Sequence, residues 1–118
     1  MPKPLVLVVE DEAMIRLNAV MMLEDADFDT LEAGSADEAI VHLETNRRIQ
    51  IVFTDIDMPG SMDGLRLAAA IRNRWPPIEL VLTSGHVRVS ARDMPARGLF
   101  LPKPYSSEQL IRTMRSFG

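Results

Sequence analysis

Glu10 and Asp11 close a run of apolar residues, Asp55 closes another with Asp57 two positions on, Thr83 follows a further such run, and Lys103 follows the last. Taken singly each has a plain explanation, because the residues where strands meet loops are normally polar and serve to solvate or cap the turn. Together they form an ordered set. If the apolar runs are neighbouring parallel strands, Glu10, Asp11, Asp55, Thr83 and Lys103 converge on one sheet edge, which is where open α/β sheets collect ligands. Three carboxylates placed together repel one another, so the cluster either raises a carboxyl pKa or binds a hard cation. Mg²⁺ suits it best, being small, oxygen-seeking and commonly held by a few carboxylates, a phosphate oxygen and water.

The apolar pattern supplies the strands. Leu5–Val9 is apolar without alternation and reads as a strand buried on both faces. Residues 13–26 place Ile15, Ala19, Met22, Leu23 and Ala26 on one helical face. Asp29–Ala33 is more polar and suits an edge strand. Ser35 and Glu38 have capping-box spacing ahead of Ala39, Ile40 and Leu43. Ile49–Phe53 reads as a third strand, and Leu65–Arg74 as a helix with Leu65, Ala68, Ala69 and Ile71 inward, stopped by Pro76 and Pro77. Ile78–Leu82 and Leu99–Leu101 are the fourth and fifth strands. Between them, residues 86–98 promise only a short or irregular helix. Ser106 and Gln109 then repeat the capping-box spacing before a last helix carrying Leu110, Ile111, Met114 and Phe117. Trp75 reads as helix-end packing, and His42 and His86 as surface residues. Five strands alternating with about five helical stretches predict a doubly wound α/β fold with helices on both faces of a parallel sheet.

A chain of 118 residues fits one compact domain and has no room for a second. Hydrophobic residues at 47% and charged residues at 25% exclude a disordered or fibrous protein. The net charge of -4 argues against duplex DNA or an anionic membrane as main partner. With no cysteine there is no disulfide framework, thiolate metal site or cysteine nucleophile. No apolar run approaches a membrane span and the first residues lack a signal peptide's pattern, which predicts a cytoplasmic protein.

These motifs resemble the receiver domain of two-component response regulators. The likeness rests on Val8–Glu12, Thr54–Pro59, Met62–Leu65, Leu82–Ser84 and Pro102–Pro104, in the family's order and at nearly its spacings, and it covers residues 1–118 as one domain. It implies a flavodoxin-like (βα)₅ fold with strand order 2-1-3-4-5. It also implies that Asp55 accepts a phosphoryl group from a phosphohistidine of a sensor histidine kinase or a histidine phosphotransfer protein. Glu10 and Asp11 match the Mg²⁺-holding pair, completed by the Asp55 carboxylate and the backbone carbonyl of Asp57. Lys103 matches the lysine that pairs with a phosphoryl oxygen, and Lys103–Pro104 the family's cis peptide. Thr83 matches the switch hydroxyl and Phe100 the aromatic switch position. On this likeness the chain is no enzyme beyond its own phosphorylation and dephosphorylation. It alters binding to a downstream protein without touching nucleic acid or membrane, and stand-alone use is expected over excision from a longer chain.

Some features depart from the family pattern or exceed it. The loop from Ile56 to Asp63 is one residue longer than usual, which predicts a bulge near Gly60 and Ser61 that leaves the Asp57 carbonyl in place. The Asp57 side chain brings a fourth carboxylate near the metal. The weak pattern in residues 87–98 suggests that phosphorylation reorders residues 84–98. Met14, Leu17 and Met21 form a second apolar stripe on the first helix, either packed under a neighbour or docking a kinase's helical hairpin. Two alternatives exist. An Mg²⁺-dependent phosphohydrolase would place its Asp-x-Asp after the first strand and carry a cap, whereas Asp55 and Asp57 follow the third. A pseudo-receiver that only binds protein would not need the full set of Glu10, Asp11, Asp55, Thr83 and Lys103.

Overall fold

The computed structural model describes residues 3–59, 62–85, 89 and 92–117. Its elements run β1 (Leu5–Val9), α1 (Ala13–Asp25), β2 (Asp29–Ala33), α2 (Ala36–Thr45), β3 (Ile49–Asp55), α3 (Gly64–Arg74), β4 (Glu79–Ser84), β5 (Leu99–Pro102) and α4 (Ser107–Arg115). All strand pairings are parallel, in the order β2-β1-β3-β4-β5. This is the doubly wound, flavodoxin-like arrangement that the strand and helix alternation predicts.

Alternate residues of a strand face opposite sides, so the central strands feed two separate cores. Leu5, Leu7, Val9, Leu80 and Leu82 pack with Ala39, Leu43, Leu67 and Ile71 on the α2 and α3 side. Val6, Val8, Phe53 and Val81 pack with Ala19, Leu23, Leu110 and Met114 on the α1 and α4 side. One irregularity lies in β3. The pairing with β1 steps from Leu5↔Ile49 to Val6↔Ile51, leaving Gln50 over as a bulge. That extra residue puts Ile49 in one core and Ile51 in the other, although residues two apart ordinarily share a face.

The helix starts follow their caps. Ser35 accepts the Glu38 amide at 3.2 Å, and the Glu38 carboxylate takes the amide of Gly34. Ser106 accepts the Gln109 amide at 3.1 Å while the Gln109 side chain takes the Ser106 amide at 2.8 Å, a reciprocal box. The inward face of α3 differs from the pattern-based expectation. Leu67, Ala68 and Ile71 are buried, Leu65 is half-buried and Ala69 is exposed. The reason is tertiary: the helix begins at Gly64, whose backbone lies against Asp55 and sets the helix's rotation.

Between β4 and β5 the described residues carry no helix. Residues 92–94 and 96–97 form turns. The predicted irregular helix falls largely on residues 86–88, 90 and 91, and the predicted loop bulge on Gly60 and Ser61, all outside the described residues. Trp75 packs against the α2 and α3 core, with the Arg74 guanidinium 4.3 Å from its ring centre.

Candidate functional site

Strand register brings the chemistry together. Val9 is level with Thr54, Asp55 with Thr83, and Ser84 with Pro102, so the residues that end or follow these strands share one sheet edge. Asp55 and Thr83 are the last and next-to-last residues of β3 and β4, each strand continuing beyond its apolar run because its neighbours keep pairing with it. Gly64 closes the site from below. A Cβ there would lie 2.1 Å from the Asp55 carbonyl oxygen, so only glycine lets α3 start this close to the strand end. On the far side the Lys103 amide donates to the Ser84 carbonyl at 3.1 Å, and the Lys103–Pro104 peptide is cis.

The Lys103 ammonium sits between two buried carboxylates, 3.0 Å from Glu10 Oε1 and 3.3 Å from Asp55 Oδ2. The other oxygens of those carboxylates accept backbone amides, Glu10 Oε2 from Glu12 at 3.2 Å and Asp55 Oδ1 from Asp57 at 3.3 Å. Burial pushes the Glu10 carboxyl above its ordinary pKa, only partly countered by the hydrogen bond from Lys103. Burial alone would lower the Lys103 pKa, but the hydrogen bond to Glu10 and the charge of Asp55 outweigh it and hold the ammonium above its usual value. Lys103 is therefore charged at neutral pH. The Thr83 hydroxyl is buried and has no hydrogen-bond partner among the described residues. An unmade bond of that kind costs about 1–3 kcal/mol, which an incoming oxygen-rich group would recover.

The donor set fits a small divalent cation. One carboxylate oxygen each from Glu10, Asp11 and Asp55 lie within 4.8 Å of one another, with Asp11 facing solvent and the other two buried. Hard oxygen ligands converging from two strand ends, one side open, suit Mg²⁺, which keeps part of its water shell.

Asp57 is placed otherwise than its sequence position suggests. Its amide reaches Asp55, but its carboxylate is outside the three-oxygen cluster and accepts the Ser84 hydroxyl at 2.6 Å. Ser84 and Arg16 are the participants that sequence reasoning gave no role. Arg16 donates to the Glu10 carbonyl at 2.8 Å and to Glu32 Oε1 at 3.1 Å, pinning the peptide that carries the acidic pair. Its only sequence signal is its place one turn into the helix after that pair. Phe100 is half-buried on β5, packed against the α2 and α3 core. Met14, Leu17 and Met21 are exposed at 75%, 49% and 56%, so among the described residues no neighbour covers the second stripe of α1. With Lys103, Pro104 and Tyr105 they line a groove of about 490 Å³ beside the acidic site. His42 lies at the surface of α2, its Nε2 2.9 Å from the Glu32 carbonyl.

A five-stranded parallel sheet in this order, ending in this acidic edge with its lysine, defines a class, and residues 6–115 match the response regulator receiver domain family. The chain belongs to that family, the phosphoacceptor domains of two-component signalling. It is 37% identical over 114 residues to the sensor kinase CckA of Brucella abortus (strain 2308), which covers 93% of this chain and 12% of that protein. It is 33% identical over 110 residues to the nitrogen assimilation regulatory protein NtrX of Azorhizobium caulinodans, covering 90% of this chain and 24% of that one. The chain thus spans a minor part of these curated relatives. The crystal structure of a response regulator receiver protein from Sinorhizobium medicae WSM419 matches with a TM-score of 0.90 at 30% identity, over 97% of this chain and 93% of the other. No helix among the described residues is long and apolar enough to cross a membrane.

Proposed function

We propose that residues 1–118 act as one receiver unit in which Asp55 accepts a phosphoryl group from a histidine kinase or a histidine phosphotransfer protein. The observation that carries this is the Lys103 ammonium bridging Glu10 and Asp55 beside the unsatisfied Thr83 hydroxyl. Glu10, Asp11, Asp55 and the Asp57 carbonyl would hold Mg²⁺, which when bound draws charge off the phosphoryl oxygens and orients them. A bond forms from an Asp55 carboxylate oxygen to phosphorus as the N–P bond of the phosphohistidine breaks, and the imidazole left behind takes up a proton. Lys103 lies within one side-chain movement of the new phosphoryl oxygens and offers them its ammonium. Thr83 gains the acceptor it lacks, which supplies a driving force for moving the end of β4. Phe100, on the neighbouring strand, is the aromatic placed to follow that movement.

The exposed stripe of Met14, Leu17 and Met21 would receive the apolar face of a kinase's helical hairpin, its groove running to Lys103 at the acceptor site. The cytoplasm, where sensor kinases present phosphohistidine, is the compartment this function implies. Hydrolysis of the acyl phosphate would be the domain's own second activity, and an unidentified protein its downstream partner.

Asp55→Asn tests the core of the proposal. Incubated with acetyl phosphate and Mg²⁺, the native chain is expected to gain one phosphoryl adduct by intact mass, and the variant none. Full labelling of the variant would overturn the assignment.

A further inference from the structure

We propose that Ser84 is a positioning residue that holds the Asp57 carboxylate out of the phosphorylation pocket, keeping that pocket receptive to an anionic phosphoryl group. The inference rests on the receiver reading above and adds a residue to it.

The backbone around Asp57 is tightly fixed. The Ile56 amide donates to the Thr83 carbonyl at 2.9 Å, and the Ile56 carbonyl accepts the amides of Met58 and Gly64, both at 3.1 Å. The Asp57 amide is itself committed to Asp55 Oδ1 at 3.3 Å. Asp57 therefore stands next to the acceptor carboxylate with its main chain immobilised, and only its side chain is free to choose a direction. That direction is set by Ser84, whose hydroxyl donates to Asp57 Oδ2 at 2.6 Å, the short separation of a charge-assisted bond. Ser84 is itself well anchored. It is buried at the end of β4, paired with Pro102, and its carbonyl accepts the Lys103 amide.

The cluster of Glu10, Asp11 and Asp55 already holds three carboxylates against one ammonium. A fourth carboxylate rotating in from Asp57 would add a hard ligand for the cation and, by the same charge, repel a phosphoryl group. The two effects run in opposite directions, which makes the role measurable. Loss of the Ser84 hydroxyl is expected to tighten binding of Mg²⁺ and weaken binding of a phosphoryl anion, whereas general loosening of the site would weaken both.

The experiment uses the full chain and two probes, Mg²⁺ alone and beryllofluoride at saturating Mg²⁺, each titrated by calorimetry with the thermal midpoint recorded alongside. For Ser84→Ala the expected result is Mg²⁺ affinity raised and beryllofluoride affinity lowered, each about three- to tenfold, the range that the net contribution of one ordinary hydrogen bond can supply. Adding Asp57→Asn to Ser84→Ala should return both constants to within about twofold of native, and Ser84→Thr, which keeps the hydroxyl, should resemble the native chain. Ser84→Gly is the second hydroxyl-free variant if the alanine chain fails to fold. Both constants unchanged in the hydroxyl-free variants, both weakened, or a shift that Asp57→Asn leaves in place would each overturn the role of Ser84. Failure of the native chain to bind beryllofluoride is a different outcome: it removes the receiver reading, and the Ser84 proposal with it.

Discussion

Tyr105 sits at the wall between the acceptor site and the α1 and α4 core, its ring edge-on to Phe53 at 5.6 Å between centres. Burial pushes its phenol above the ordinary tyrosine pKa, and the nearby Lys103 charge draws it only part of the way back. A folded-state pKa above the unfolded one means that Tyr105 contributes stability below about pH 10, and that this is lost as pH rises through the folded value. Since the chain has one tyrosine, its phenolate absorbance reports this group alone. The folded chain is expected to titrate at higher pH than the urea-unfolded chain, with the thermal midpoint falling over the same interval. Coincident titrations would show that the ring is not shielded. At this scale the sequence was most informative where residue type and position coincide. Glu10, Asp11, Asp55, Thr83 and Lys103 were legible because each stands at the end of a recognisable apolar run, and strand ends are where a parallel sheet gathers ligands. Ser84 and Arg16 were not, because their parts depend on which way a hydroxyl and a guanidinium turn, and no spacing encodes that.

Elements position the site through their contacts more than through their own propensities. Helix α3 begins with Asp63 accepting the Arg66 amide at 2.9 Å, and its first residue, Gly64, lies directly against the peptide of Asp55. In Gly64→Ala the added carbon would meet the Asp55 carbonyl oxygen at 2.1 Å and the Ile56 Cα at 2.7 Å, backbone atoms that cannot turn aside. The helix must then retreat from the strand end. A loss of at least about 1–3 kcal/mol of unfolding free energy is expected in denaturant titrations, as for other overpacked sites, together with weaker beryllofluoride binding. An alanine variant of native stability and affinity would mean that the close approach is dispensable. The same contact explains what was misread in α3. Leu65, Ala68, Ala69 and Ile71 make an acceptable helical face by spacing alone, but the closure of Gly64 on Asp55 rotates the helix so that Leu67 is buried and Ala69 exposed. The two serine N-caps were readable because Ser35 and Ser106 each accept an amide three residues on, although only Ser106 and Gln109 close a reciprocal box, whereas the rotation of α3 depends on a tertiary contact with the end of β3 that no helical spacing encodes.

For the whole molecule, the two cores are complete on their own sides of the sheet, yet α1 leaves Met14, Leu17 and Met21 in solvent above the groove that leads to Lys103. If this stripe receives the phosphodonor, Leu17→Asp should slow phosphotransfer from a cognate phosphorylated kinase by at least about tenfold, the loss of one buried anchor of about 1.5–3 kcal/mol. Phosphorylation by acetyl phosphate, which needs no docking surface, should stay at the native rate. Equal slowing with both donors would indicate damage to the site, and no slowing with either would leave the stripe without that role. The alternation of strands and helices made the doubly wound architecture legible from the outset. Hidden from it was the single unpaired residue in β3.

Gln50 has a consequence at the opposite end of the sheet. It lies five residues before Asp55, roughly 16 Å along the strand at the usual rise. With it, Val9 is level with Thr54, and the acceptor at the next position sits beside Glu10 on the same edge. Were the Leu5↔Ile49 pairing continued without the bulge, so that Gln50 paired with Val6, Phe53 would stand level with Val9 and Thr54 would take the acceptor's place. Because strand faces alternate, the carboxylate would then be one step out of phase and directed to the wrong layer. The bulge at Gln50 thus sets the frame: the identity of the side chain matters little, but holding this residue out of the pairing keeps the rest of the strand in step, so the acceptor's address is written partly at the end of the sheet most distant from the chemistry.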